Sequence, residues 1–319
     1  MRYPMKSYLL FSFALLLSCS SVKQGHQSKE NEQLLKDLEV LSSDAYEGRK
    51  TGTKGAEMAR HFISTRLSKL GLKSYNEQVP FIHEFSFNDR QGKKTTGKNV
   101  VAYIPGKSES VIVISAHYDH LGVRENKIFN GADDNASGVA ALLKFAAHYA
   151  KGRNQPNHTL VFAAFDAEEM GLQGAKAFVA SPPVPLDKIV LNINMDMIAH
   201  NDKSELYACG TFKYPELKPY LVTTVPDIKV LPGHDDPKMG QDDWTNQSDQ
   251  GAFNAKNIPF IYFGVEDHKD YHKETDEFQH INQVFYSKAA DAILEIIGRI
   301  DSGTTLQSIF RGKLQMKKQ

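Results

Sequence analysis

Residues 110–117, SVIVISAH, form a short run rich in β-branched residues, which is typical of a strand buried on both faces. Residues 136–150, ASGVAALLKFAAHYA, then place apolar side chains at helical spacing. Three more apolar runs occur farther along the chain: HTLVFAAF at 158–165, KIVLNINMD at 188–196 and IPFIYFG at 258–264. Buried strands that alternate with helices predict an α/β fold of three layers, in which a mixed, mainly parallel central sheet lies between helices.

The flanking segments complete the predicted order of elements. Apolar periodicity predicts helices over 31–42, 55–70, 169–180 and 281–300, and alternation predicts strands over 78–87 and 98–106. Residues 201–257 are less regular and rich in Pro, Gly, Asp and Lys, so we expect them to form loops over one edge of the sheet.

The charges of the chain are balanced. Its 319 residues include 38 basic and 38 acidic side chains, which leaves no formal net charge. That balance gives no electrostatic reason to expect a nucleic-acid partner. We expect residues 31–300 to form one domain, because a chain of this length can bury a large core.

The N-terminus has the features of an export signal. Residues 1–19 combine a basic start with an apolar run and end in LLSC, which resembles the lipobox of bacterial lipoproteins. We expect a lipidated Cys19, a polar tether over 20–30, and a location anchored to the membrane of a bacterial cell envelope. Only Cys209 would then remain, so no intramolecular disulfide is expected. Residues 301–319 read as a polar tail.

Charged side chains follow the predicted strands. Because ligands bind beyond the carboxyl ends of the strands in open α/β sheets, we expect these side chains to gather at one edge. They are His117 and Asp119, the pair Asp133 and Asp134, then Asp166, Glu168 and Glu169, then Asp196, and finally His268, Tyr271 and His272.

The pair of aspartates could simply cap the helix that follows it. Two carboxylates about 4 Å apart, however, repel by roughly 4 kcal/mol at an effective dielectric constant of about 20. Several of them in one cleft require protonation or cations. Imidazole and carboxylate ligands without a nearby cysteine favour zinc, or else cobalt or manganese.

Five motifs in this order carry a family resemblance: AHYDH, GADDNASG, FDAEEMGLQGA, NMDMI and YHKETDE. The chain from about residue 38 to residue 300 resembles the co-catalytic zinc aminopeptidases, a family that includes glutaminyl cyclases and glutamate carboxypeptidase-like enzymes. The resemblance implies a zinc-peptidase type of α/β fold, two zinc ions per chain, and peptide substrates with a free N-terminus. It implies hydrolysis by a metal-bridging hydroxide with a glutamate as general base.

The resemblance also assigns roles to residues. His117 and Asp196 are implied as ligands of one zinc, Glu169 and His272 as ligands of the other, and Asp134 as the bridge between them. Glu168 is implied as the general base, Asp119 as the residue that orients His117, and Tyr271 as a group that polarises the substrate carbonyl. The role of Asp133 stays open.

Two features differ from the pattern of the family, and the resemblance leaves other chemistries open. Gln250 stands where relatives often have histidine, and the acidic segment 234–249 is individual. We expect that segment to be a solvated loop rather than a calcium site. The alternatives to an aminopeptidase are a glutaminyl cyclase that uses one zinc, a carboxypeptidase, and a surface binding protein without catalysis.

Overall fold

An eight-stranded sheet runs through the part of the chain that the computed structural model describes, residues 29–152 and 155–303. In spatial order its strands are β1 (Ile82–Asn88), β2 (Lys94–Ile104), β6 (Thr159–Phe165), β3 (Val111–His117), β7 (Ile189–Met195), β10 (Phe260–Gly264), β8 (Glu205–Cys209) and β9 (Lys229–Pro232). Two short strands, β4 (Gly122–Arg124) and β5 (Lys127–Phe129), form a separate hairpin.

Helices cover both faces of this sheet. They are α1 (29–41), α2 (Lys54–Lys69), α3 (Gly138–Lys151), α4 (Gln173–Ala180), α5 (Gln250–Ala255) and α6 (Gln283–Ser302). The first three helices and α6 pack on one face, and α4 and α5 pack on the other.

The layering follows from the alternation of side chains along each strand. Ile112 and Ile114 of β3 point into the core beneath α3 and α6, while Val113 between them points into the core beneath α4 and α5. All three are fully buried. A strand covered on both faces must be largely apolar, which explains the β-branched run of β3. The predicted three-layer α/β class is confirmed.

Four neighbouring strands in the middle of the sheet position the site. β6, β3, β7 and β10 are neighbours and pair in parallel, so their carboxyl ends meet at one edge of the sheet. The segments that follow these strands carry most of the charged motifs. The predicted gathering of those motifs at one edge is therefore what the topology produces.

Two expectations about local structure are wrong. Helix α4 begins at Gln173 and not at residue 169, because Leu172 has a φ of 60°, a left-handed conformation that a helix cannot continue through. The irregular region 201–257 also contains β8, β9 and α5 in addition to loops. Its strands join the sheet because the alternate residues Leu206 and Ala208 of β8 are fully buried.

The predicted signal peptide, Cys19, most of the tether and most of the polar tail lie outside the described residues. Residues 29 and 30, which the sequence assigned to the tether, already belong to α1. Among the described residues, none of the helices combines the length and the apolar character needed to cross a membrane.

Candidate metal centre

The ends of the parallel strands bring the predicted metal ligands together. His117 is the last residue of β3, and Asp196 follows β7 directly. Asp134 lies in the irregular turn Ala132–Ser137 that precedes α3, and His272 lies in the loop after β10. The four side chains lie within a single cleft of about 500 Å³.

One group of donor atoms forms around His117. Its Nε2 atom lies 3.2 Å from Oδ1 of Asp196 and 3.4 Å from Oδ1 of Asp134. The imidazole is 1% exposed, so these carboxylates are the polar groups it faces in place of water. One imidazole and two carboxylates whose donor atoms converge in this way can hold a divalent ion.

A second group forms around the other oxygen of Asp134. Oδ2 of Asp134 lies 3.0 Å from Nε2 of His272, and that nitrogen lies 3.5 Å from Oε1 of Glu169. Asp134 therefore presents one oxygen to each group.

The second group contains a histidine that the sequence analysis missed. Nδ1 of His120 lies 2.9 Å from Oε1 of Glu169 and 3.6 Å from Oδ2 of Asp134. The available signal was the pair of histidines three residues apart in AHYDH, His117 and His120. Both imidazoles are buried at the same edge of the sheet.

The residues present fit bound zinc. Five carboxylates are among the residues that line the cleft, three of them in the two groups of donor atoms, and no Lys or Arg is among the lining residues. Oε1 of Glu169 and both ring nitrogens of His120 are buried without a hydrogen-bond partner among the described residues. Buried polar atoms without partners are costly, and a cation would pair them. Mixed imidazole and carboxylate ligands are those that zinc takes.

Glu168 lies at the same cleft but outside both groups of donor atoms. Burial raises its pKa well above the usual range of a glutamate; the charge of His117 opposes this shift, and the carboxylates of Asp196 and Asp249 add to it. A carboxyl group with a raised pKa can take up and return a proton near neutral pH.

Asp119 holds the turn that carries the two glutamates. Its Oδ1 atom accepts a hydrogen bond from the backbone N–H of Glu168 at 3.0 Å, and Oδ2 lies 3.4 Å from the backbone nitrogen of Glu169. His117 contacts Asp119 through the backbone instead, since Nδ1 lies 3.1 Å from the carbonyl oxygen and 3.9 Å from Oδ1. The carboxylate thus contacts the glutamate turn more closely than it contacts the histidine.

Asp133 does not cap α3. Its Oδ1 atom accepts a hydrogen bond from the backbone N–H of Ala199 at 2.7 Å and lies 3.2 Å from the hydroxyl of Ser137. Its Oδ2 atom lies 3.1 Å from Nε2 of His268. Asp133 therefore ties together the turn before α3, the segment after β7 and the loop that carries His272.

A third histidine-rich group lies beside Asp133. Its members are His200, His268 and Asp270. The rings of His200 and His268 stack with centroids 3.9 Å apart and planes 23° apart. Nε2 of His268 faces Oδ2 of Asp133, so we interpret this group as a contact that supports Asp133.

The rest of the cleft is formed by aromatic, apolar and polar side chains. Tyr271 stacks on His272 with ring centroids 4.0 Å apart, and burial raises the pKa of its hydroxyl above the usual range, so it stays protonated. The other lining residues are Met197, Trp244, Gln247, Tyr262, Val265 and Asp267.

The segment 234–249 contributes to this cleft, so its expected role as a solvated loop is only partly correct. Its middle is exposed, but Asp235 is buried and accepts hydrogen bonds from the backbone N–H groups of Gly210 and Phe212. Gln250 holds the segment from the sheet side, because its Nε2 donates to the carbonyl of Trp244 at 2.7 Å. Gln250, which stands where relatives often have histidine, thus holds the backbone of Trp244, a residue that lines the cleft.

Comparison with known proteins identifies relatives over the region that contains the site. Residues 99–297 match the family model described as Peptidase family M28. Leucine aminopeptidase 1 of Trichophyton rubrum is 29% identical over 182 residues, which are 54% of this chain and 46% of the relative. A vacuolar membrane protease of Lodderomyces elongisporus is 27% identical over 167 residues, which are 49% of this chain and 17% of that protein. The chain thus spans less than half the length of these relatives.

Solved structures share the fold. A zinc aminopeptidase from Bacillus subtilis superposes with a TM-score of 0.67 at 16% identity, covering 84% of this chain and 94% of that one. A glutaminyl cyclase from Porphyromonas gingivalis superposes with a TM-score of 0.66 at 16% identity, covering 84% of this chain and 97% of that one. At such identities the likeness concerns the fold alone, and it confirms a zinc-peptidase type of α/β sheet.

Proposed function

The chain belongs to peptidase family M28, and from that premise we propose that it is a zinc-dependent aminopeptidase, which removes residues from the N-termini of peptides. The observation that carries the proposal is the cleft itself. Two groups of metal-ligating atoms share Asp134, and Glu168 lies beside them. Such a pair of ion sites next to a carboxyl of raised pKa suits hydrolysis.

In this proposal His117, Asp134 and Asp196 hold one zinc ion, and Asp134, Glu169 and His272 hold the second. The bound metal supplies Lewis acidity, which makes water a nucleophile near neutral pH and polarises a carbonyl. Two divalent ions would also offset the charge that this set of carboxylates places in one buried cleft.

Glu168 moves the proton. Its carboxylate takes a proton from the attacking water and delivers it to the nitrogen of the leaving group as the peptide bond breaks. The hydrogen bonds of Asp119 to the backbone of Glu168 and Glu169 hold the base and its neighbouring ligand in fixed relation. Tyr271, protonated and lining the same cleft, donates a hydrogen bond to the substrate carbonyl oxygen as negative charge develops on it.

The charge of the cleft favours substrates with a free N-terminus. Carboxylates line it, and Asp267 stands among them at the exposed rim. A protonated α-amine would be attracted to such a surface. A peptide with an acetylated N-terminus offers no such charge and should be a poor substrate.

The test is a product analysis of the full chain loaded with zinc. Incubated with unblocked peptides, it should release N-terminal residues with the addition of water, and it should leave N-acetylated peptides intact. Loss of ammonia from an N-terminal glutamine would indicate a glutaminyl cyclase instead. Shortening from the other end would indicate a carboxypeptidase, and unchanged peptides would indicate a binding protein.

We also propose that Cys19 is lipidated and anchors the protein to a membrane of the cell envelope. The support is the apolar run that ends in LLSC. Cells that express the protein and are fed a labelled fatty acid should incorporate the label, whereas Cys19→Ala should not. Equal labelling of the two proteins would remove the proposed anchor.

A further inference from the structure

We propose that His120 is a fourth protein ligand of the ion held by Asp134, Glu169 and His272. The ion at His117 would then have three protein ligands and an open coordination position. The second ion would have four protein ligands and no open position. This inference rests on the proposed function, because it assumes that ions occupy both groups of donor atoms.

The distances place His120 among the donor atoms. Its Nδ1 lies 2.9 Å from Oε1 of Glu169 and 3.6 Å from Oδ2 of Asp134. Nε2 of His272 lies 3.5 Å and 3.0 Å from the same two oxygens. The two imidazoles thus face the same pair of carboxylate oxygens, with ring centroids 5.9 Å apart and planes inclined by 56°. Inclined rings can direct their nitrogens to one point.

The burial of His120 indicates that its imidazole is a metal ligand and does not make an ordinary hydrogen bond. The side chain is fully buried, and neither of its ring nitrogens has a hydrogen-bond partner among the described residues. Nδ1 is close to Oε1 of Glu169, yet that oxygen also has no hydrogen-bond partner in the described part of the chain, so the two atoms are near each other but not aligned. Two donor atoms that are close without being aligned on each other are arranged as ligands of a third atom.

The backbone makes room for this ring. Gly131 has a φ of 56°, and a Cβ atom there would lie 2.5 Å from Cδ2 of His120 and 2.1 Å from the carbonyl oxygen of Asp134. Any side chain at this position would displace either the imidazole or the turn that carries Asp134. Gly131 therefore permits both the left-handed backbone and the close approach of His120.

The consequence is a difference between the two ions. Zinc sites with four protein ligands are characteristically structural, whereas those with three keep a position for water or substrate. The reacting water and the substrate carbonyl would therefore be bound from the side of His117, next to Glu168. The ion on the side of His120 should be the more tightly held of the two and the last to leave under a chelator.

The experiment compares His120→Asn with His120→Ala in the full chain. The amide nitrogen of Asn occupies the place of Nδ1 and can donate a hydrogen bond to Glu169, but an amide is a poor zinc ligand. Zinc retained against a series of chelator concentrations gives the affinity of the tighter ion, and the visible spectrum of the cobalt-loaded protein reports its coordination. Thermal unfolding of the metal-free proteins checks that both variants fold.

If His120 is a ligand, the affinity for the tighter ion falls in both variants, and the cobalt spectrum changes in both. The loss of affinity should exceed the roughly 10–100-fold that follows when a residue outside the coordination sphere is replaced. If His120 only hydrogen-bonds to Glu169, Asn retains near-native affinity and the native spectrum, which overturns the inference. His272→Asn distinguishes a failure of the His120 inference from a failure of the proposed metal centre. A loss there with none at His120 leaves the proposed function intact, whereas no loss in any of these variants contradicts the proposed metal centre itself.

Discussion

Oδ1 of Asp134 lies 3.4 Å from Nε2 of His117, while Oδ2 of the same carboxylate lies among the donor atoms of the second group. One residue thus belongs to both candidate ion sites. The turn that carries it is held by Asp276, whose carboxylate oxygens accept the backbone N–H groups of Asp133 and Asp134 at 2.9 and 3.0 Å. The position of the bridge is therefore set from outside the cleft.

Glu168→Gln tests the base. The amide is nearly the same size as the carboxylate but cannot take up a proton, so kcat should fall by roughly 100-fold or more, the scale of general base catalysis. Zinc content should stay at the wild-type level, because Glu168 lies outside both groups of donor atoms. Steady-state kinetics and metal analysis give the two values. An unchanged kcat would remove Glu168 from this role.

Arg49→Met tests a buried cation that positions the site. The guanidinium is 1% exposed and donates hydrogen bonds to the carbonyls of Leu41, Tyr118, Asn130 and Gly131. The carbonyl of Gly131 would keep the backbone N–H of Ala136 as a donor, whereas methionine would take away the side-chain donor of the other three, at roughly 1–3 kcal/mol for each buried group left unpaired. The free energy of unfolding of the metal-free protein should fall by several kcal/mol.

Arg66→Met serves as the control for Arg49, since Arg66 also pairs with a buried acceptor, Asp37, but lies on α2 away from the cleft. It should cost less, because Arg66 donates to one acceptor, and Asp37 keeps a second hydrogen bond from Gln33. Equal losses of stability in the two variants would contradict the larger contribution to stability that is expected of Arg49.

Trp244→Ala tests the wall of the cleft. The indole lines the cleft and stacks on His234 with ring centroids 3.6 Å apart. Its removal should lower kcat/KM for leucyl substrates by roughly 10-fold or more and affect alanyl substrates less, since differences in apolar contact are worth about 1–3 kcal/mol. Met239→Ala, in the exposed middle of the same loop, is the control. A uniform loss for both substrates would show that Trp244 does not set preference.

Asp249→Asn tests a buried carboxyl behind the site. Both oxygens of Asp249 lack hydrogen-bond partners within residues 29–152 and 155–303, and burial raises its pKa from 3.8 to about 7. Between these values the folded metal-free protein holds a proton that the unfolded chain has released. The stability that this proton represents is present at low pH and is lost as the pH rises from about 4 toward 7, by up to about 1.4 kcal/mol per pH unit.

Denaturant unfolding of the metal-free protein at pH 5, 6 and 7 measures that slope. Asn carries no titrating proton, so the variant should show a smaller decline in stability than the wild type over this range. Parallel curves for the two proteins would mean that Asp249 titrates normally in the folded state.

Local patterns in the sequence were sufficient to predict six of the eight strands of the sheet and the gathering of charged side chains at the carboxyl ends of the parallel strands. Strands such as β3 and β7 are buried along their whole length and largely apolar because both of their faces are covered, and that pattern is local. Parallel strands end at one edge, so His117 and Asp196 could be placed together without knowledge of any contact.

The features that sequence reasoning missed depend on contacts between distant segments. His120 faces the second group because Gly131 leaves space for its ring, and Arg49 binds carbonyls from three separate segments. Asp133 has the composition of a helix cap, but its partners are Ala199 and His268. No periodicity or spacing within one segment encodes such partners.

The most direct test of the account is a zinc titration of the metal-stripped full chain. Activity would be followed with leucyl-p-nitroanilide and with its N-acetylated counterpart. Hydrolysis of the unblocked substrate should saturate near two zinc ions per chain, and the acetylated substrate should not be cleaved. Saturation at one zinc ion, or equal cleavage of both substrates, would contradict a two-metal aminopeptidase.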